Sequence, residues 1–252
     1  MVNLTQNDKL FLQQKGISEE TIERQIDCFK KGFPFIKLYS AASAEQGIMV
    51  LTPEEKAGYS SAWETYLQGD NVVLKFVPAS GAASRMFKNL FEFADGASDE
   101  PDTDFIKTFF AEIHKFAFSQ LLDESCVKAY GKGIDALVEA KQYKDVVRCL
   151  LGENGLNYGK LPKGLLLFHK YADGARTPLE EHLVEGAMYA SGKDGKVNVH
   201  FTVSPEHRKM FEALVAEKAP EFGKKFGVEF SATFSEQKQS TDTLAATADN
   251  EP

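Results

Sequence analysis

Residues 72–93, VVLKFVPASGAASRMFKNLFEF, combine the pieces from which a phosphate site can be built. The run Val72–Val77 is β-branched and aromatic apart from Lys75, and reads as a short buried strand. Pro78-Ala79-Ser80-Gly81-Ala82-Ala83-Ser84 then carries no bulky side chain, so another molecule can approach the backbone and meet a row of N–H groups. From Met86 onward, Phe87, Leu90, Phe91 and Ala94 recur at helical spacing. Strand, small-residue loop and helix in that order place free amide donors and a positive partial charge at the loop, with Arg85 as a fixed cation beside them. The same residues also suit a plain tight connection with a solvent-facing arginine, and the stretch alone leaves both readings open.

Other chemistry-bearing residues suggest less. No Gly-Lys-Ser/Thr follows the glycine, which excludes a P-loop phosphotransferase. Pro78 stands where a nucleophile elbow around Ser80 needs glycine, which excludes that type of serine hydrolase. Cys28, Cys126 and Cys149 have neither metal-ligand nor redox spacing, and their odd number argues against a disulfide framework; they read as buried small hydrophobes. His114 reads as a helix-surface or packed histidine, Lys88 as a solvated helix residue. Phe105, Phe109, Phe110, Phe116 and Phe118 read as core.

The elements that must position these residues follow from periodicity and caps. Residues 5–45 are expected to be helical, with Thr5 and Ser18 as N-caps, and Thr52-Pro53 opens a further capped helix. Together they make a helical N-terminal arm over residues 1–69. A long helical insertion is expected over about 98–158. Strands are expected at 72–77, 164–169, 196–204 and 227–237, with a turn at Ala172-Asp173-Gly174-Ala175. Helices capped by Thr177, through a capping box with Glu180, and by Ser204 lie among them. Strands alternating with helices imply an α/β domain, residues 70–252, built on a mainly parallel sheet with Rossmann-like crossovers. Ligands of such sheets bind outside the carboxyl ends of the strands, where Ser80, His169, Ser204 and Gln237 are expected.

With 252 residues, 43% hydrophobic and 26% charged, the chain suits an ordinary globular protein. Its 29 Lys and Arg against 37 Asp and Glu give a net charge of −8 with no basic cluster, a poor match to a nucleic-acid partner. No signal pattern opens the sequence and no apolar segment is long enough to span a membrane, so a cytoplasmic location without membrane association is expected.

Four segments in order resemble the sugar-1-phosphate nucleotidyltransferases. VPASGAASRMFK is similar to their loop, with its Gly-x-x-x-Arg-Met and lysine. LPKGLLLFHKYADGARTPLEEHLVEGA resembles their Pro-Lys, strand and Thr-Pro-Leu-x-x-His helix. VHFTVSPEHRKMFEALV resembles a following strand and helix, and FSEQKQSTDTLAATADN the segment set against the base. From about residue 70 onward the chain resembles an uncharacterised, divergent family of unknown function within the nucleotidyltransferase-like (nucleotide-diphospho-sugar transferase, GT-A type) superfamily.

The resemblance implies binding of a nucleotide, nucleotide sugar or sugar phosphate, with nucleotidyl transfer as the chemistry. It implies that the amides of Ser80, Gly81 and Ala82 hold phosphate, that Arg85 steadies the departing pyrophosphate, and that Lys163 approaches the α-phosphate. It further implies that Gln237 or Gln239, with Ser240 and Thr241, read the base. Lys163 stands far along the chain from Arg85, so the helical insertion must loop out between them. Mg²⁺ is the implied cofactor. Neither Asp242 nor Asp249 occupies a motif position for it, and the strand carrying the family's metal-binding aspartate would follow Pro252. An α/β domain incomplete at that end is expected to leave a sheet edge open to self-association. It would then act as a binding or interaction module without turnover, the alternative to an enzyme.

Overall fold

The computed structural model describes residues 3–250; residues 1–2 and 251–252, the outermost positions of the expected arm and α/β domain, lie outside it. The chain forms two compact units, Met1–Ala62 with Gln237–Pro252, and Trp63–Glu236.

In the first unit, α1 (Gln6–Lys15) opens on the expected Thr5 cap. The Thr5 hydroxyl accepts from Asp8 N, and the Asp8 carboxylate accepts from Thr5 N. The second helix, α2 (Glu19–Lys31), is capped by Ser18. Leu12, Ile22 and Ile26 make a small core with Leu4, Ile17, Leu244 and Ala246. The expectation of helix through residue 45 is corrected. The helix stops at Gly32, whose φ of 71° leaves the helical region, and Pro34 follows at once. Beyond it Phe35, Ile36 and Tyr39 stand open to solvent. Cys28, expected to be buried, is only half-buried, whereas Cys126 and Cys149 are buried.

The helix α3 (Pro53–Leu67) runs from the first unit into the second, and Thr52 and Glu55 cap it reciprocally. The second unit is mixed α/β. Its sheet holds β1 (Leu74–Pro78) and two further strands introduced below, all parallel. After β1, a 3₁₀ turn at Ser84–Phe87 leads into α4 (Lys88–Asp95). The expected insertion follows as α5 (Asp104–Ala111), α6 (Ser119–Tyr130), α7 (Ile134–Glu139) and α8 (Tyr143–Leu151). These helices and α4 share one core, built on Leu90, Ile106, Leu122, Leu137 and Leu150. Phe109 and Phe118 are buried in it and Phe110 and Phe116 pack against it, but Phe105 stays exposed. His114 lies on the surface, its Nε2 2.7 Å from Asp135 Oδ1.

The expected strand at 164–169 does not form. Lys163–Leu165 is a 3₁₀ turn, and only His169–Tyr171 pairs as a strand, β2, antiparallel to β3 (Gly174–Arg176) across the expected turn. The apolar run feeds two cores. Leu165 packs against the sheet core, while the next residue, Leu166, is buried in the helical core. The 3₁₀ turn at Lys163–Leu165 keeps the start of the run out of either sheet. His169 therefore does not stand at the end of a parallel strand.

Next comes α9 (Pro178–Tyr189), with Thr177 and Glu180 in a capping box that is itself buried. The remaining parallel strands are β4 (Lys196–Val203) and β5 (Glu229–Glu236), joined by α10 (Arg208–Phe226). The order is β1-β4-β5, with Val77 opposite Phe201 and Phe201 opposite Phe234. Val197, Val199, Phe201 and Val203 face a core with Leu179 and Leu183 of α9 and Phe211 and Val215 of α10. The opposite face carries Leu74, Phe76, Asn198, His200, Thr202, Thr233 and Ser235 in alternation, and its Leu74 and Phe76 are exposed. There His200 accepts the stacked Phe76 ring and hydrogen-bonds Thr233 and Ser235, each at 2.8 Å.

Candidate functional site at the end of the first sheet strand

The loop after β1 is fixed before any ligand is considered. Ala79 N donates to Thr202 O at 2.7 Å, continuing the ladder one residue past the strand. Ala83, at the other end, is fully buried in the helical core. Between them, Gly81 O accepts from Lys163 N at 3.0 Å, and Ala82 bridges Pro162 in antiparallel fashion. The helical insertion thus returns the Pro162-Lys163-Gly164 segment to the loop it departed from. The amides of Ser80, Gly81 and Ala82 donate to no acceptor among the described residues.

A cavity of about 160 Å³ opens here, lined by Gly81, Lys163, Gly164, His182, Phe201 and Phe211 among others. Its floor is the sheet core, and Lys163 and His182 are its ionisable side chains. Glycine matters at two points on its wall. A Cβ on Gly164 would come within 2.9 Å of Phe211 Cζ, so only glycine lets the turn lie on that ring. A Cβ on Gly81 would meet nothing within 4 Å, so the space over the loop is open.

His182 is held from behind. Its Nδ1 is 3.1 Å from Glu185 Oε2, one turn along α9. The same oxygen accepts from Lys75 Nζ at 2.6 Å, and Lys75 also donates to the Tyr189 hydroxyl and lies over the Tyr189 ring at 4.8 Å. Burial pulls the Lys75 ammonium down, but the bonds to Glu185 and Tyr189 outweigh it and hold the pKa above the ordinary lysine value. The Lys75 bond is also the main reason that Glu185 lies below the usual carboxylate range. Both groups are ionised around neutrality.

Of the residues expected at a site, the structure brings Ser80, Gly81, Ala82 and Lys163 together. Arg85 lies in the 3₁₀ turn that follows, exposed and without an ion-pair partner among the described residues; that turn postpones the start of α4 to Lys88. Gln237, Gln239, Ser240 and Thr241 belong to the other unit. There Gln239–Thr241 forms a 3₁₀ turn; Asp242, just beyond, pairs with Lys15 at 3.0 Å, and Leu244 N donates to Gln25 Oε1. Ser204 turns its hydroxyl to His207 Nδ1 at 2.7 Å. Sequence reasoning assigned no role to His182, Glu185, Gly164 or Phe211. One signal was present: Lys75 is the single charge in an apolar strand, and such a charge needs a partner.

Among the described residues no group of three or more His, Cys, Asp or Glu side chains is placed to hold a metal ion. The cavity wall contributes no carboxylate oxygen, so its donor set does not fit Mg²⁺. No described helix is long and apolar enough to cross a membrane.

A mixed α/β protein with a loop-and-lysine cavity at the carboxyl end of a parallel strand is the class that the fold and site define. Residues 5–252 match the model of the family described as a domain of unknown function (DUF4301), and the chain belongs to that family. No curated protein and no solved structure matches it.

Proposed function

We propose that the second unit binds a nucleotide, nucleotide sugar or sugar phosphate through the loop at Ser80–Ala82 and Lys163, in the manner of a nucleotidyltransferase-like domain with Rossmann-like crossovers. The observation that carries this reading is the Lys163 N to Gly81 O bond, which brings a lysine residue to a loop whose three amides have no acceptor among the described residues. Phosphate oxygens are the natural partners of such a cluster, since backbone donors and a point cation share their charge. Arg85, exposed just past the loop, is available to a further phosphate of a longer ligand. The lack of a carboxylate on the cavity wall favours a second reading, a module that binds without turnover, because nucleotidyl transfer commonly engages Mg²⁺ held by protein carboxylates as well as phosphate.

The test is calorimetric and thermal titration of the full chain with ATP, UDP-glucose and glucose 1-phosphate, each with and without Mg²⁺. Ligand at about 100 times Kd stabilises by about 2.7 kcal/mol. Saturable binding that Lys163→Ala and Arg85→Ala weaken supports the reading. Folded protein that none of the three ligands shifts refutes it. Release of pyrophosphate from ATP with glucose 1-phosphate separates enzyme from module.

A further inference from the structure

We propose that His182 is a ligand-binding residue of this cavity, held by the Lys75–Glu185 chain so that its Nε2 accepts a hydroxyl of the ligand. The inference rests on the reading of the loop as an anion cradle and narrows it to ligands carrying a hydroxyl close to the anionic group. Its ground is the hydrogen-bond inventory of the cavity.

Glu185 is an acceptor, already ionised by Lys75, so the ring nitrogen facing it, Nδ1, carries the proton. In the neutral ring Nε2 is then a lone-pair acceptor, and among the described residues nothing bonds it. Donors stand beside it: the Lys163 side chain on the cavity wall, and in the adjoining loop the amides of Ser80, Gly81 and Ala82, which bond no acceptor among the described residues. Sulfate, an oxyanion with no hydroxyl, satisfies the donors and leaves Nε2 unmatched, whereas a hydroxylated phosphate ester satisfies both. The cavity, about 160 Å³, lies below the roughly 300–1,000 Å³ of sites that enclose a whole drug-sized ligand. It takes the end of the ligand that bears both groups. Phe201, Phe211 and Leu179 form apolar walls for the carbon skeleton. Lys75 and Glu185 are positioning residues: they act on the ligand through the tautomer and orientation of His182, as a partner behind a metal-bound or catalytic imidazole does.

Two substitutions separate the ring nitrogens. In His182→Asn the amide keeps a donor near the Nδ1 position for Glu185 and loses the Nε2 function; in His182→Gln a polar group remains near the Nε2 position. Binding of glucose 1-phosphate and of sulfate is measured by calorimetry at pH 8, where an ordinary imidazole is neutral, with the Trp63 unfolding transition as the check on folding. The expected result is glucose 1-phosphate affinity tenfold or more lower in His182→Asn and partly kept in His182→Gln, with sulfate affinity unchanged in both. Imidazole ¹⁵N spectra add a readout that a merely structural histidine would not move: glucose 1-phosphate shifts the His182 Nε2 resonance, identified by its loss in His182→Asn, more than Nδ1. Glucose 1-phosphate binding equal to wild type in folded His182→Asn, or an unmoved Nε2 resonance on saturation, overturns the role of His182 and leaves the anion cradle standing. Wild-type protein that binds neither glucose 1-phosphate nor sulfate overturns both.

Discussion

Removing Glu185 should cost more than removing Lys75, although the two make one ion pair. Their N···O distance is 2.6 Å, but the Lys75 side chain is 11% exposed and that of Glu185 44%. In Glu185→Ala the shielded ammonium keeps only Tyr189 for company, while in Lys75→Met an apolar chain of similar length fills the strand and the carboxylate turns to water. A hydrogen bond to a charged group is worth about 1.5–3 kcal/mol. Screening at the half-exposed Glu185 brings the expected loss in Glu185→Ala to about 1 kcal/mol. Lys75→Met should lie within about 0.5 kcal/mol of wild type, because an apolar replacement of a buried charge is often neutral. The double variant should match Lys75→Met, a coupling of about 1 kcal/mol. Trp63, the sole tryptophan, reports on this unit through its indole donor to Tyr189 O at 2.8 Å, so urea unfolding is followed by its fluorescence.

The pH dependence has a definite sign. The Glu185 pKa is lowered by folding, so its contribution is present above the unfolded carboxylate value, about 4.3, and fades as pH falls through the folded value. The Lys75 pKa is raised, so its contribution is complete below about 10.4 and fades as pH rises through its folded value. Wild type and Glu185→Ala should therefore differ by a constant amount from about pH 5 to 10 and converge in acid. A larger loss in Lys75→Met than in Glu185→Ala, or a gap that persists unchanged at pH 2, would refute the reasoning.

Gly164→Ala should lower the stability of the same transition by about 1–3 kcal/mol, because the added methyl meets the fully buried Phe211 ring at 2.9 Å. Gly81→Ala, with open space around the new Cβ, should melt within about 0.5 kcal/mol of wild type yet bind glucose 1-phosphate more weakly; unchanged affinity would count against contact between ligand and loop backbone. Of the three thiols, half-buried Cys28 should react first with a disulfide reagent, while Cys126, whose thiol burial pushes up to about 12, and buried Cys149 should wait for unfolding. Equal labelling rates for all three in native protein would contradict that burial.

Where local pattern and tertiary environment agree, the elements could be read in advance. Strand β4 alternates Val197, Val199, Phe201, Val203 with Asn198, His200, Thr202, and that alternation is its burial pattern; the Thr177–Glu180 box opens α9 as expected. Periodicity failed where neighbours serve different cores, at Leu165 and Leu166, since a run of consecutive leucines carries no mark of which core takes which residue. The small-residue loop was visible as a candidate site because its chemistry is local. The partner of Lys75 was not: Glu185 lies 110 positions away, and the sheet-to-helix packing that joins them leaves no local spacing to read.

Whether a small-residue turn is a connection or a cradle depends on where its amides go. A turn that only reverses the chain commonly spends its N–H groups on its own carbonyls, and its conformation depends on those bonds. Here the conformation is set from outside the loop's own amides: Ala79 by the sheet ladder, Gly81 through its carbonyl to Lys163, and Ala83 by burial in the helical core. Ser80, Gly81 and Ala82 can therefore leave their N–H groups without an acceptor among the described residues and without loss of order. A ligand that meets them need not fix the loop first, so the ordering cost that weakens binding to flexible segments is already met by folding. The same clamps explain why Lys163 arrives from beyond a helical subdomain: the insertion's core holds both strands of the clamp, Ala83 at its entry and Leu166 at its exit, and so fixes the distance between lysine and loop.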